Sequence, residues 1–386
     1  MAYSHVNKKN NSWFIRICLT HSCNLNCVYC YQKHRDSLSM TLDTAKTVVD
    51  RIFHHINDET DRIEIGFFGG EPLLEFDLIK EIFAYIRSKK RKVEYTFFAT
   101  TNGTLLTDEM KNWFIANKEH FTLALSLDGT RETQNHNRCN SFDKIDLDFF
   151  IKNWPNQGVK MTVSEYSLPS FAKDIKFLHS CGFKKINGAN LAAGDFDWNN
   201  DNYVELLAPQ FKKLVDFYLN NDNLKNHLFD RNLALCEVKK NKKHRRCGVG
   251  NRVMFFDVDG KKYPCAYITP MTFSEEDLSN IMKMNFAEDE NFIDEYCLIN
   301  CYIYPICNTC IAENYLNNKC LKERVKSRCR ILKLTTLFVA DLQAKRIERN
   351  PKIFDDNTLY HTIETIKKIR ELYLPEFEKY LDMPNA

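Results

Sequence analysis

The residues best suited to chemistry in this 386-residue chain are its 15 cysteines. Three fall within one short stretch: Cys23, Cys27 and Cys30. Nine more crowd the later part of the chain: Cys236, Cys247, Cys265, Cys297, Cys301, Cys307, Cys310, Cys320 and Cys329. Cys18, Cys139 and Cys181 stand apart in apolar or mixed sequence and read as small buried hydrophobes. Fifteen cysteines are too few for a disulfide scaffold. Thiols clustered in a reduced compartment point to metal or catalysis. The triplet has no fourth ligand at zinc spacing. Three thiolates on a tight loop suit a 4Fe–4S cluster with one iron left open to a non-protein ligand.

Such a loop needs a rigid scaffold, and the flanking sequence supplies one. Residues 13–19 are rich in aromatic and branched side chains and read as a strand. Residues 41–56 carry Leu42, Ala45, Val48, Val49, Ile52, Phe53 and Ile56 on one helical face. The alternation repeats, with strands expected at 63–68, 93–100, 121–127, 159–164 and 184–190. Helices are expected near 75–88, 107–117, 143–154, 170–181 and 201–220. Six strand–helix units imply a parallel sheet covered by helices. No Gly-x-Gly-x-x-Gly follows the first strand, so a partial (β/α)6 TIM barrel is favoured over a doubly wound sheet.

Glycine sharpens this picture, because only 12 are present. Gly69, Gly70, Gly103 and Gly129 directly follow the second, third and fourth strands. The polar motifs lie at the same strand ends: the cysteine triplet, Gly69-Gly70-Glu71-Pro72, Thr101-Asn102-Gly103 and Ser126-Leu127-Asp128-Gly129. Active sites of parallel α/β folds sit on that rim.

Composition sets the outer bounds. A net charge of +3, with 44% hydrophobic and 27% charged residues, describes a globular protein and excludes a disordered chain or a nucleic-acid coat. No apolar run approaches the ~20 residues of a membrane span. The first 12 residues are polar and lack a signal-peptide core, so a cytoplasmic location is expected.

The Cys23-x3-Cys27-x2-Cys30 spacing, with Tyr29 before the last cysteine, resembles the signature of the radical S-adenosylmethionine (radical SAM) superfamily. The resemblance covers roughly residues 13–220 and includes Gly-Gly-Glu-Pro in the family's order. It implies that the open iron chelates SAM, whose one-electron cleavage yields a 5′-deoxyadenosyl radical. By the same resemblance, Gly69, Gly70 and Glu71 meet the methionine ammonium. Asn102 and Ser126 contact ribose or carboxylate, Arg138 holds the SAM carboxylate, and Tyr29 packs near the adenine. Asp128 is expected to shape its turn with Gly129.

The later cysteines look like the SPASM extension of radical SAM enzymes that modify peptides and proteins, a cysteine-rich α+β module. The resemblance implies two auxiliary 4Fe–4S clusters, making three in all. Cys236, Cys247, Cys265 and Cys310 would ligate the first, and Cys297, Cys301, Cys307 and Cys329 the second. The gaps run three, five, two, which departs from the commonest pattern, so Cys320 competes with Cys329. A zinc knuckle at Cys307-x2-Cys310 is the alternative. These readings divide the chain into a radical SAM domain (1–220), a SPASM domain (221–335) and a C-terminal helical segment (336–386). That last segment carries apolar Ile363, Ile366, Ile369 and Leu372.

The function implied is maturation of a ribosomally made precursor peptide, most simply by installing a thioether or other crosslink, under anaerobic conditions. Formylglycine formation by an anaerobic sulfatase maturase is the runner-up. It expects a carboxylate after the Gly-x4-Cys element, where this chain has Ala266 and Tyr267. A non-catalytic iron–sulfur redox or scaffold protein is the third reading. The basic run 239–246 is a solvated loop or a patch for an acidic leader peptide or a flavodoxin or ferredoxin electron donor. Only about 12 residues precede the first strand, so leader recognition would fall to a separate protein or to the cysteine-rich region. No residue is assigned to the finishing chemistry. Glu165 and Asp195 read as exposed loop carboxylates.

Overall fold

Branched and aromatic residues are frequent in the longer strands, and amphipathic helices follow them. In the computed structural model the described residues are 12–56, 62–89, 93–191, 199–240, 242–243, 247–250 and 252–381. In chain order the elements begin β1 (Ser12–Thr20), α1 (Leu42–His55), β2 (Arg62–Gly69), α2 (Phe76–Ser88), β3 (Glu94–Thr101), α3 (Asp108–Ala116) and β4 (Phe121–Leu125). They continue α4 (Arg131–Asn137), α5 (Leu147–Asn153), β5 (Val159–Val163), α6 (Phe171–Ser180), β6 (Lys185–Leu191), α7 (Asp201–Leu219), β7 (Lys225–Asn226) and α8 (Leu235–Val238). The cysteine-rich part holds β8 (Val253–Phe256), β9 (Lys262–Tyr263), α9 (Glu275–Met282), α10 (Glu295–Asn300) and α11 (Ile311–Asn318). Two long helices close the chain, α12 (Lys326–Arg349) and α13 (Asp356–Leu381). The six expected strand–helix units are all present, and α4 is an additional short helix.

Two compact units emerge. The first comprises Met1–Leu127, Gln134–Lys160 and Gly248–Ala287. Its sheet runs β4-β3-β2-β1-β8-β9, with β4 to β8 parallel and β9 antiparallel to β8. Both faces of β1 are buried, as a central parallel strand requires: Ile15, Ile17 and Leu19 on one, Arg16, Cys18 and Thr20 on the other. Phe67, Phe97 and Phe121 stack across β2, β3 and β4 with centroids 5.7–6.3 Å apart. α1 is started by Thr41, whose side chain accepts from the Thr44 N–H, and buries Ala45, Val48, Val49, Ile52 and Phe53.

The pairing of β8 with β1 was not foreseen. Val253–Phe256 lie parallel to Phe14–Ile17, so the hairpin before Cys265 belongs to the first unit. The hairpin turn closes at Gly260, which sits at φ 75 and donates to the Asp257 carbonyl over 2.8 Å. The second unit comprises Asp128–Thr133, Met161–Cys247 and Glu288–Ala386. Residues 161–247 thus share a unit with 288–386, a division that does not follow boundaries at 220 and 335. The physical reason is that α7 packs with both α12 and α13, for example through Phe211 against Phe338 at 5.5 Å.

α13 corrects one detail. Ile366 and Ile369 are buried as expected, but Leu372 is 43% exposed. The buried stripe runs Thr362, Ile366, Ile369, Tyr373, Phe377 and Tyr380. A strict three-residue step drifts off a face whose period is 3.6. Among the described residues no helix is long and apolar enough to cross a membrane.

Candidate active site

The rim at the carboxyl ends of β1, β2 and β3 is where the expected residues converge, all within the first unit. β1 carries a register shift between Cys18 and Thr20, which re-aims the chain as it enters the cysteine loop. Beside it runs the segment after β2. Gly70 N donates to Thr20 O and Glu71 N to Ser22 O, each at 2.9 Å. This approach needs glycine: a Cβ on Gly70 would sit 2.2 Å from Ser22 O, and one on Gly69 2.4 Å from Thr20 O. The Gly-Gly-Glu segment is therefore zipped to the chain that delivers Cys23.

Cys23, Cys27 and Cys30 are half-buried, and Cys30 N donates to Cys27 O at 3.1 Å. Burial raises the Cys23 thiol pKa, an N–H bond from Leu25 opposes that, and the charges of Glu71 and Cys30 add to the rise. Sulfurs that repel one another as thiolates suit a cationic iron cluster that neutralises them.

Glu71 is 2% exposed. Its Oε1 accepts from Thr101 Oγ1 at 2.8 Å and Leu73 N at 3.1 Å, and its Oε2 from Asn102 N at 2.8 Å. Burial pushes its carboxyl up to about 7, against the lowering effect of those bonds and of the Arg138 charge. A buried carboxylate held near neutrality is stabilised by an incoming ammonium. Asn102 Nδ2 donates to Asn24 Oδ1 at 2.8 Å, tying the β3 end to the cysteine loop. Ser126 bridges to Lys160 and donates from its backbone N–H to Thr101 O at 2.9 Å. The Arg138 guanidinium lies 5.4 Å from the centroid of the Tyr29 ring. Glu71, Asn102, Arg138 and Tyr29 are thus brought together around the cysteine loop, with Ser126 one hydrogen bond from Thr101. Glu165 is exposed, as expected, and Asp195 lies outside the described residues.

Several contacts on this loop escaped the sequence reading. Cys139 is exposed rather than a buried hydrophobe. It sits at φ 55, beyond the end of α4, and turns outward onto the loop. Its Sγ–H donates to Asn26 O at 3.0 Å and its Sγ accepts from Asn26 N at 3.3 Å. Val28 N donates to Asn137 O at 3.0 Å. Residues 137–139 thus touch Val28, Tyr29 and Asn26 in turn. His21, just before the triplet, lies between Asp36 and Asp257. Burial disfavours charging its ring, but the hydrogen bonds and charges of Asp257 and then Asp36 outweigh this and raise its pKa. These partners are far apart in sequence, and no motif announces them.

Deeper in the sheet Arg16 pairs with Glu64 at 2.9 Å and lies 4.5 Å from the Phe98 centroid. Burial, aided by the Arg16 charge, lowers Lys160 to about 8. Gly66 makes this layer possible, since a Cβ there would meet Phe98 at 2.4 Å.

Comparison with known proteins agrees with this geometry: residues 17–153 match the radical SAM superfamily. These residues form a radical SAM domain. An uncharacterised protein of Methanocaldococcus jannaschii is 28% identical over 176 residues, 44% of this chain and 59% of that protein. The antilisterial bacteriocin subtilosin biosynthesis protein AlbA of Bacillus subtilis is 22% identical over 333 residues, 80% of this chain and 69% of that protein. Among solved structures, anSMEcpe with bound AdoMet (SAM) superposes with a TM-score of 0.62 at 18% identity, over 92% of this chain and 99% of that one. Streptococcus suis SuiB bound to precursor peptide SuiA gives 0.53 at 16% identity, over 81% and 74%. The chain spans 24–59% of the length of the first curated relatives it matches. The cysteine triplet, the Gly69-Gly70-Glu71 segment, Asn102, Ser126 and Arg138 all lie within the matched residues.

Beyond the radical SAM domain, the second unit gathers further thiols. Burial raises Cys297 to about 12 and Cys329 to about 11. Secondary causes are the charges of Asp294, Cys301 and Cys329 on Cys297, and of Cys307 and Cys301 on Cys329. Burial likewise raises Cys307, with Cys301 adding to it. Cys297, Cys301, Cys307 and Cys329 are therefore electrostatic neighbours. Cys310 is raised to about 11 by burial, and Cys247 adds to it. Cys236 is fully buried and Cys320 half-buried. Cys265 is half-buried and lies in the first unit.

Proposed function

We propose that this chain is a radical SAM/SPASM maturase that modifies a ribosomally made precursor peptide, most simply by a thioether or related crosslink. The observation that carries the reading is the likeness to AlbA over 80% of the chain, far past residues 17–153. A SuiB neighbour solved with its precursor peptide gives it further support. Cys23, Cys27 and Cys30 are the ligands of the SAM-binding cluster. Glu71, with Gly69 and Gly70, receives the methionine ammonium. Arg138 receives the carboxylate, Asn102 and Ser126 the polar ribose edge, and Tyr29 packs by the adenine. When bound, the cluster and SAM supply a 5′-deoxyadenosyl radical. The chain's own part is to fix SAM against the loop, to balance its charges with Glu71 and Arg138, and to exclude water from Glu71.

The later cysteines are read as ligands of auxiliary 4Fe–4S clusters. The mutual neighbours Cys297, Cys301, Cys307 and Cys329 support one set and favour Cys329 over Cys320. The set Cys236, Cys247, Cys265 and Cys310 rests on the family resemblance, with the Cys247–Cys310 proximity in its favour. A flavodoxin or ferredoxin is the electron donor in this scheme.

Anaerobic co-expression with candidate precursor peptides tests the function by mass spectrometry. A thioether product has lost two hydrogens per crosslink. An unmodified peptide beside a SAM-cleaving enzyme contradicts the assignment for that peptide class. Formylglycine formation is the second reading, favoured by the fold likeness to anSMEcpe. Ala266 and Tyr267, in place of a carboxylate, count against it.

A further inference from the structure

The segment after β8 returns to the cysteine loop at three points, all within the first unit. His21 meets Asp257, with Nε2 2.8 Å from Oδ1. Tyr31, next to Cys30, stacks on Tyr267 with centroids 4.3 Å apart and planes 11° from parallel. His34 N donates to Met271 O at 3.0 Å. The pairs advance together along both stretches, 21 with 257, 31 with 267 and 34 with 271. The two segments therefore run side by side in near-constant register. The other ring nitrogen of His21, Nδ1, lies 2.8 Å from Asp36 Oδ1, so the same imidazole also holds the far end of the loop. His21 and Asp257 are 5% and 2% exposed, which shields this contact from water.

A loop that must present three thiolates to one cluster has little regular backbone bonding of its own. Its ligating shape has to be imposed by neighbours, as outer partners orient the ligands of other metal sites. We propose that residues 257–271 are a brace for the cysteine loop, with His21 and the Tyr31–Tyr267 stack as positioning residues that hold Cys23, Cys27 and Cys30 in ligating form. The inference rests on reading the triplet as the SAM-binding cluster. It adds that a stretch outside residues 17–153 is required to keep that cluster in place.

The test uses the full chain, reconstituted anaerobically with iron and sulfide. The dithionite-reduced protein is followed by electron paramagnetic resonance with and without SAM. The signal that changes on adding SAM belongs to the cluster with an open iron. Tyr267→Phe keeps the stacked ring and retains the wild-type SAM response. Tyr267→Leu removes the stack, and Asp36→Asn weakens the His21 clip from its half-exposed end, where the fold tolerates change. For each of these two, loss of the SAM-responsive signal to a chelator is about tenfold faster than in wild type, the scale seen for outer partners of metal ligands. Wild-type rates in both overturn the brace. A wild-type chain with no SAM-responsive signal overturns the cluster reading instead, so the two failures are distinct.

Discussion

Glu71 is the residue whose chemistry is most exposed to test. Its folded carboxyl titrates near 7, above the ordinary carboxylate range, so the folded chain holds a proton that the unfolded chain releases. Stability is therefore full below about pH 4.5 and falls as pH rises through about 7, by about 3 kcal/mol for a shift of this size. Thermal melting of the SAM-free chain between pH 5 and 8 is expected to show that fall, and Glu71→Gln to flatten it. Cys139 gives a second prediction. Cys139→Ser keeps a donor and acceptor for Asn26 and leaves the loop unchanged. Cys139→Ala removes both bonds, which costs about 1 kcal/mol and speeds hydrogen exchange at the Asn26 amide. Glu71 was legible in the sequence because Gly-Gly-Glu-Pro travels as one contiguous motif. Cys139, His21, Asp257 and Tyr267 were not, because their contacts join residues 113 to 236 apart along the chain.

Elements were more legible than contacts. Strands and helices follow from local period, so the apolar stripe from Leu42 to Ile56 marked α1 in the sequence. The alternating units implied a parallel sheet, and β1 to β4 form one, while β5 and β6 lie in a second sheet with β7. The pairing of β8 with β1 was not legible. Four residues carry no information on whether they pair locally or extend the free edge of β1. The α13 stripe was misread at Leu372 because a run of isoleucines three apart mimics a face that a helix of period 3.6 does not keep. The pairing of the Gly-Gly-Glu segment with Thr20–Ser22 carries its own prediction. Gly70→Ala forces a Cβ into the Ser22 carbonyl, and a clash in a packed site costs about 1–3 kcal/mol. Because the displaced backbone is the one that aligns Cys23, SAM affinity falls along with the melting temperature. Calorimetric titration with SAM checks this, and unchanged affinity would show that the zipper does not set the site.

At the scale of the whole molecule, the chain interleaves its two units, since residues 248–287 join the first while 161–247 and 288–386 build the second. Cysteine spacing read these stretches as one module because spacing records order along the chain and not which sheet a strand joins. Three clusters predict about 12 irons per chain. Cys329→Ala is expected to lose about four of them and Cys320→Ala none, as measured by iron analysis after reconstitution. Equal losses would break the grouping of Cys329 with Cys297, Cys301 and Cys307. The reaction proposed for the rim of β1, β2 and β3 is the cleavage of SAM. Anaerobic incubation of the iron-loaded chain with SAM and dithionite measures it most directly. 5′-Deoxyadenosine is the expected product, abolished by Cys27→Ala; its absence from a fully iron-loaded chain would overturn the assignment.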